Sequence, residues 1–223
     1  METDIVEVGW TREQIWRGSI LASIAHAIMV AHFPEIANEH SWDGMNYSVQ
    51  DSAGTRGTIT FHPQYCVAAF RNEQSNRMTT GEMNAEKHFK GAPPPIIALA
   101  EVETLQYLLD NINGDVTPVI TTAFWGVNHH IVTNDEYESM IENGGFILET
   151  HVLDLGAAID AWVEYYGMNE KQIILMKSIY ERKVSNPRDV IRLTDVEGNM
   201  IGSEKPEGLI ESKISFEEIG VLV

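Results

Sequence analysis

Residues 41–77 read SWDGMNYSVQDSAGTRGTITFHPQYCVAAFRNEQSNR, and this stretch decides the fold. Apolar and polar residues alternate in 45–50 and again in 58–62, which is the period of a half-buried strand. Residues 65–70 are apolar throughout, which favours a central strand. A turn rich in Asp, Ser and Gly at 51–57 joins the first two segments, and Pro63 interrupts the chain before the third. The stretch therefore predicts a three-stranded antiparallel meander.

The predicted meander has two ends, and each end holds a candidate ligand site. Loops 51–57 and 71–77 lie at one end. There Arg56, Arg71 and Arg77 indicate a pocket for an anionic small molecule, because a guanidinium binds anions in a bidentate manner. The other end carries His40, Asp43 and His62, imidazole and carboxylate groups that suit zinc or another divalent ion. Surface ion pairing and turn-capping histidines are the alternatives to these two sites.

Helical patterns before and after the meander complete the predicted elements. Thr11 and Gln14 form a capping-box pattern, and the apolar stripe that follows predicts a helix to about Ala31. Pro34 ends or kinks that helix. The other predicted elements are helices at 96–112, 134–143, 155–166 and 169–183, strands near 118–125 and 146–150, and a late hairpin within 190–223.

Together these elements predict a single α+β domain over residues 1–223. Its antiparallel sheet is built on the meander at 45–70 plus later strands, with helices packed mainly on one face. A subdivision is considered only at the proline run 91–95, GAPPP, since three prolines favour an extended segment. That run is either a linker or a rigid crossover. We favour the crossover, because a lobe of about 90 residues would leave sheet edges unpaired.

Composition indicates a cytoplasmic protein that does not insert into membranes. The chain has 223 residues, of which 43% are hydrophobic and 22% charged, as is typical of globular domains. One cysteine excludes an intrachain disulfide and favours a reducing compartment. The first ten residues are acidic and lack the apolar core of a secretory signal. No apolar run approaches the roughly 20 residues that a membrane span needs.

The charge pattern predicts a basic protein partner. A net charge of −18 argues against nucleic acid, because phosphates require a footprint of Lys and Arg. Between Lys90 and Lys171 the chain has 13 acidic residues and no Lys or Arg. Complementary charge steers association, so this pattern indicates a docking face for a basic protein. Solubility is the alternative explanation.

Aromatic and acidic residues that are predicted to be exposed supply the candidate contacts for this partner. Tyr165 follows Asp160 and Glu164 on a predicted helix, and acids beside tyrosine are typical of a contact patch. The full predicted set is Trp42, Asp135, Glu136, Glu138, Asp160, Glu164 and Tyr165.

No catalytic signature stands out in the sequence. Cys66 lies in an apolar strand, where a thiol is usually an inert small hydrophobe. The glycines of 54–57 have neither P-loop nor dinucleotide spacing. His129 and His130 are adjacent, so on a strand they would point to opposite faces. No cofactor is predicted.

The leading hypothesis is a non-enzymatic binding protein that neutralises a basic protein, as an immunity protein or an inhibitor does. The alternative is a small-molecule-binding or metal-dependent enzyme with its site at one end of the meander. The sequence leaves the oligomeric state open.

Overall fold

The computed structural model describes residues 5–127 and 130–223, which form an α+β fold. The strands are β1 (Val6–Glu7), β2 (His40–Asp43), β3 (Asn46–Gln50), β4 (Thr55–Phe61), β5 (Tyr65–Asn72), β6 (Leu109–Ile112), β7 (Asp115–Pro118), β8 (Thr122–Val127), β9 (His130–Thr133), β10 (Ile191–Arg192) and β11 (Val221–Leu222). The α-helices are α1 (Arg12–Val30), α2 (Arg77–Thr80), α3 (Ala85–His88), α4 (Pro94–Val102), α5 (Tyr137–Glu142), α6 (Leu155–Tyr166), α7 (Glu170–Ser185), α8 (Asp195–Ile201) and α9 (Pro206–Glu218). Short 3-10 helices cover Pro34–Ile36, Thr104–Leu108 and Gly145–Val152.

The predicted meander is confirmed. β4 pairs antiparallel with β3 and β5, and Ile59 lies opposite both Tyr47 and Ala68. β8 pairs with β5, as expected for the fourth strand, and the antiparallel sheet runs in the order β1-β9-β8-β5-β4-β3-β2. The two loops predicted to share one end do so, since the amide of Glu73 donates to the carbonyl of Gly54 at 3.3 Å.

Both faces of the sheet are covered by packed side chains. Val67 and Trp125, which are register partners, lie in a core cluster with Ile96 of α4 and Leu105 of the second 3-10 helix. On the opposite face Phe124 meets Trp10 edge-on, with ring centroids 6.0 Å apart, and Trp10 in turn meets Tyr137 of α5. The prediction that helices pack mainly on one face is therefore not confirmed.

The chain divides into two compact units, each built from two segments. Unit 1 comprises residues 1–14 and 43–149, and unit 2 comprises residues 15–42 and 150–223. The proline run lies inside unit 1, where Pro94 and Pro95 begin α4, a position that suits the fixed φ of proline. The single domain over 1–223 stays a prediction.

Helix α1 is the centre of unit 2. Every residue from Gly18 to Val30 is buried, as expected of a helix that is apolar all round. Three of its isoleucines share one core cluster with α6, α7 and α9, to which Trp162, Ile179 and Phe216 contribute. No helix in the described part of the chain is long and apolar enough to cross a membrane.

A glycine sets the distance between α1 and the third 3-10 helix. A Cβ added at Gly18 would lie 1.9 Å from the backbone oxygen of His151. The backbone atoms of His151 cannot move away from an added Cβ as the end of a flexible side chain can. The absence of a side chain at Gly18 is therefore what allows His151 to pack against α1.

We expect Gly18→Ala to lower the free energy of unfolding by up to about 2 kcal/mol. Overpacking a core costs about 1–3 kcal/mol, and alanine regains roughly 1 kcal/mol over glycine inside a helix. Urea denaturation followed by circular dichroism measures the change. Gly156→Ala on the exposed start of α6, where the nearest atom would be 3.4 Å away, is the matched control and should not destabilise. Equal stability of the two variants would contradict the prediction.

Three predicted elements differ from the structure. The helix predicted for 96–112 ends at Val102, and residues 146–150 form part of a 3-10 helix rather than a strand. The late hairpin is wrong, because the tail forms α8 and α9. Helix α8 begins with a capping box in which Thr194 and Glu197 bond reciprocally, a pattern that stabilises helix starts.

Candidate functional site

Two of the three arginines predicted to form an anion pocket, Arg71 and Arg77, form ion pairs within unit 1. Arg56 and Arg71 lie directly opposite each other on β4 and β5. Arg71 forms ion pairs with Glu73 at 2.7 Å and with Asp110 at 2.6 Å. Arg77 forms an ion pair with Asp135. Guanidinium groups that are already paired offer little to an incoming anion, so this arrangement does not favour the predicted anion pocket.

Arg77 is the centre of a buried polar network. Its Nη1 and Nη2 donate to the two oxygens of Asp135 at 2.8 and 2.9 Å. The same groups donate to the backbone oxygen of Thr121 and to the hydroxyl of Ser139. The side chains of Arg77 and Asp135 are only 15% and 13% exposed. Such a bidentate pair fixes geometry as well as charge, and it ties loop 71–77 to α5.

The environment of Asp135 keeps its carboxylate ionised. Burial alone would raise the pKa of Asp135, but hydrogen bonds from Arg77 and Thr122 outweigh it, and the pKa lies below its ordinary value. His88 lies 3.8 Å from the same carboxylate, and burial lowers the pKa of His88. Asp135, predicted as a partner contact, is therefore engaged inside the protein.

A small polar cavity of about 180 Å³ adjoins this network and is lined by Arg77, Asn72, Ser75 and Asn143. Its side chains bond to one another or to nearby backbone. Asn72 donates to the backbone oxygen of Glu142, and Ser75 donates to Asn143. Polar groups satisfied in this way serve to hold the loops together.

The predicted metal ligands do not form a ligand set. His40 is buried in unit 2, whereas Asp43 and His62 belong to unit 1. His62 stacks on Tyr65 at 5.2 Å, and Asp43 accepts a hydrogen bond from the hydroxyl of Tyr107 at 2.7 Å. In residues 5–127 and 130–223, no three His, Cys, Asp or Glu side chains are placed to hold a metal ion.

His40 lies instead in a cluster of buried rings in unit 2. Its ring centroid is 5.0 Å from that of His26, 6.2 Å from that of His151 and 5.5 Å from that of Trp162. Burial lowers the pKa of His26 to about 4 and that of His151 to about 3, and it lowers the pKa of His40 as well. All three imidazoles are therefore neutral at pH 7. His26 and His151 are far apart in the chain, so sequence spacing did not reveal this cluster.

Two further candidates for chemistry give no site. Cys66 is buried, and burial raises the pKa of its thiol to about 12, which keeps it protonated and unreactive. His130 is exposed and lies 2.9 Å from Glu7, while His129 lies outside the described residues.

The remaining predicted partner contacts divide into exposed and packed residues. Glu136 and Glu138 are exposed at the start of α5, and Asp160, Glu164 and Tyr165 are exposed on α6. Trp42 is half-buried, and its role as a partner contact stays a prediction. It packs against the core of unit 2, and its indole nitrogen donates to Ser23 at 2.8 Å.

Unit 1 also has a groove that sequence reasoning missed. It has a volume of about 770 Å³ and is bounded by residues 81–86, residues 101–109 and the β6–β7 hairpin. We call it the hairpin groove. Exposed Leu109, Ile112 and Val116 line it together with Glu86 and Glu101.

A recognisable turn signal marked this hairpin in the sequence. Asn113 and Gly114 both have positive φ, 56° and 100°, as a two-residue hairpin turn of type I′ requires. Because the helix predicted for 96–112 ends just before them, Asn113 and Gly114 were interpreted as the stop of that helix. Read as a hairpin turn, it predicts β6 and β7 and an apolar exposed strand pair.

The chain matches no protein-family model, no curated protein and no solved structure.

Proposed function

We propose that the protein is a non-enzymatic binding protein that engages and neutralises a basic protein partner, as an immunity protein or an inhibitor does. One observation carries the proposal. Within the described residues, ion pairs engage only Asp110 and Asp135 of the 13 acids between Lys90 and Lys171. The other acids are exposed, apart from half-buried Glu103. A cationic partner can therefore reach these carboxylates.

The acids are distributed over both units rather than along one element. Unit 1 holds 18 acidic and six basic residues, so its formal net charge is −12. Unit 2 holds 15 acidic and nine basic residues, so its net charge is −6. A field of one sign attracts an oppositely charged protein over several ångströms and raises the association rate. The proposal therefore rests on the field of each unit and on exposed pairs such as Asp160 and Glu164.

The first test captures the partner and measures the salt dependence of its association. The immobilised protein should retain one or more basic proteins from extracts of its native host, identified by mass spectrometry. Between about 50 and 500 mM NaCl we expect the association rate to fall at least about tenfold, because salt screens exposed charges. The dissociation rate should change much less. A complex whose association is insensitive to salt would contradict the proposal.

Charge-neutral variants test whether the cation-free segment matters beyond total charge. Asp160→Asn with Glu164→Gln removes two charges from α6 inside that segment. Glu204→Gln with Glu207→Gln removes two charges beside Lys205, outside it. We expect the α6 variant to slow association several-fold more than the control. Equal slowing would mean that only the net charge counts.

A further inference from the structure

We infer that the hairpin groove is the docking site for a cationic, amphipathic segment of the protein partner. This inference rests on the proposed function and names the surface that would make the contact. The occupant is a stretch of polypeptide that presents apolar side chains with Lys or Arg beside them.

Exposed apolar side chains set the first requirement for the occupant. Val116 is 68% exposed, and Leu109 and Ile112 are each 37% exposed. Leu105 and Val119 line the same groove and are buried. Exposed apolar side chains that line one groove are a candidate interaction surface. An occupant with apolar side chains would remove these three residues from water.

The charge of the groove determines the sign of the charge that the occupant carries. Its described lining contains Glu86 and Glu101 and no Lys, Arg or His. The nearby Lys87 forms an ion pair with Glu82 at 2.8 Å. A second copy of this chain carries the same net charge of −18, so it would be repelled, as would an anionic membrane. Charge complementarity therefore selects a cationic partner.

The backbone of the hairpin indicates that the occupant is a polypeptide. β6 and β7 form a two-stranded sheet of their own, so among the described strands neither has a second neighbour. An unpaired strand edge offers N–H and C=O groups to an extended peptide, which is the basis of β-augmentation. The turn at Asn113 and Gly114 holds these edges in place.

Val116→Lys tests the inference, and Val196→Lys is its matched control. The two valines are almost equally exposed, 68% and 67%, and Val196 lies on α8 of unit 2. Both variants change the net charge by the same amount, and neither disturbs a core. The probe is a fluorescein-labelled 14-residue peptide of leucine and lysine with an amphipathic pattern. Its binding is followed by fluorescence anisotropy.

We expect Val116→Lys to raise the Kd of the Leu-Lys peptide at least about tenfold, because a cation placed in the groove meets the cations of the peptide. Val196→Lys should raise it no more than about twofold. A Ser-Lys peptide of equal charge should bind the wild-type protein at least about tenfold more weakly than the Leu-Lys peptide, because it lacks apolar anchors.

Two results overturn the inference. The first is equal weakening by Val116→Lys and Val196→Lys, and the second is no binding of the Leu-Lys peptide by the wild-type protein. Neither result tests the proposed function, which is tested by the salt-dependent capture of a basic protein. If that capture fails, the proposed function and the inference are both rejected.

Discussion

Replacing Arg77 by alanine is expected to lower the free energy of unfolding by about 3–5 kcal/mol. The substitution leaves the carboxylate of Asp135 with 13% exposure and without its bidentate partner. It also removes the bonds to the backbone of Thr121 and to Ser139. A buried charge without a partner is costly, because protein supplies too few dipoles to replace water.

The control for this prediction is Lys87→Ala. Lys87 and Glu82 form an ion pair of the same 2.8 Å length, but their side chains are 52% and 45% exposed. Exposed pairs contribute less than about 1 kcal/mol. Urea denaturation of both variants gives the comparison. If Arg77→Ala costs no more than Lys87→Ala, the network does not stabilise the fold as described.

A double-mutant cycle separates the Arg77–Asp135 interaction from other effects of truncation. Asp135→Ala should be strongly destabilising by itself. The double variant should cost less than the sum of the two single variants, because it leaves no unpaired charge. Additive losses would mean that the two side chains stabilise the protein independently.

Acidification from pH 7 to pH 5 is expected to lower the free energy of unfolding by about 4 kcal/mol. The pKa of His26 is about 4 and that of His151 about 3 in the folded protein, against about 6.5 when unfolded. Below pH 6.5 the unfolded chain therefore binds more protons than the folded chain, so the free energy of unfolding decreases as the pH is lowered. Each of these two histidines contributes about 2 kcal/mol over this interval.

Other groups also lower the stability on acidification. Among the described residues, no carboxylate with a shifted pKa acts in the opposite direction. His40 and His88 also have lowered pKa values, so they act with the same sign. The pKa values of Asp135 and Glu197 are lowered too. Carboxylates of this kind lose their contribution only below about pH 5, outside the interval chosen.

Urea denaturation at pH 7, 6 and 5 measures this dependence. His151→Phe should reduce the loss between pH 7 and pH 5 by about 2 kcal/mol, whatever it does to stability at pH 7. A wild-type protein equally stable at pH 7 and pH 5 would contradict the assignment of three buried neutral imidazoles.

Local patterns in the sequence were sufficient to predict four strands of the sheet, β3, β4, β5 and β8. Alternation of apolar and polar residues in 45–50 and 58–62 predicted β3 and β4, because successive side chains of a strand point to opposite faces. The α6–α7 pair was predicted equally well, since Gly167 takes the left-handed conformation that ends α6. Such signals depend only on near neighbours in the chain.

The candidate site depends on partners that are distant in sequence, so it could not be predicted in the same way. Arg77 and Asp135 are 58 residues apart, and no local pattern links them. Trp42 was predicted as a partly exposed contact because it adjoins His40 and Asp43. Its hydrogen bond to Ser23 of α1 joins residues that no local pattern links. The hairpin groove was missed because a turn signal at Asn113 was assigned to the end of a helix.

The divided sequence of unit 2 has a consequence for synthesis on the ribosome. Helix α1 emerges early, but the helices that bury it follow only after the 107 residues of segment 43–149. At about 5–20 residues per second, roughly ten to forty seconds pass between the synthesis of α1 and the synthesis of α9. The apolar surface of α1 is not fully covered during that time. During that interval the apolar surface of α1 on the nascent chain is accessible to other macromolecules in the cell. We therefore expect newly made chains to depend on a holdase chaperone until translation is complete.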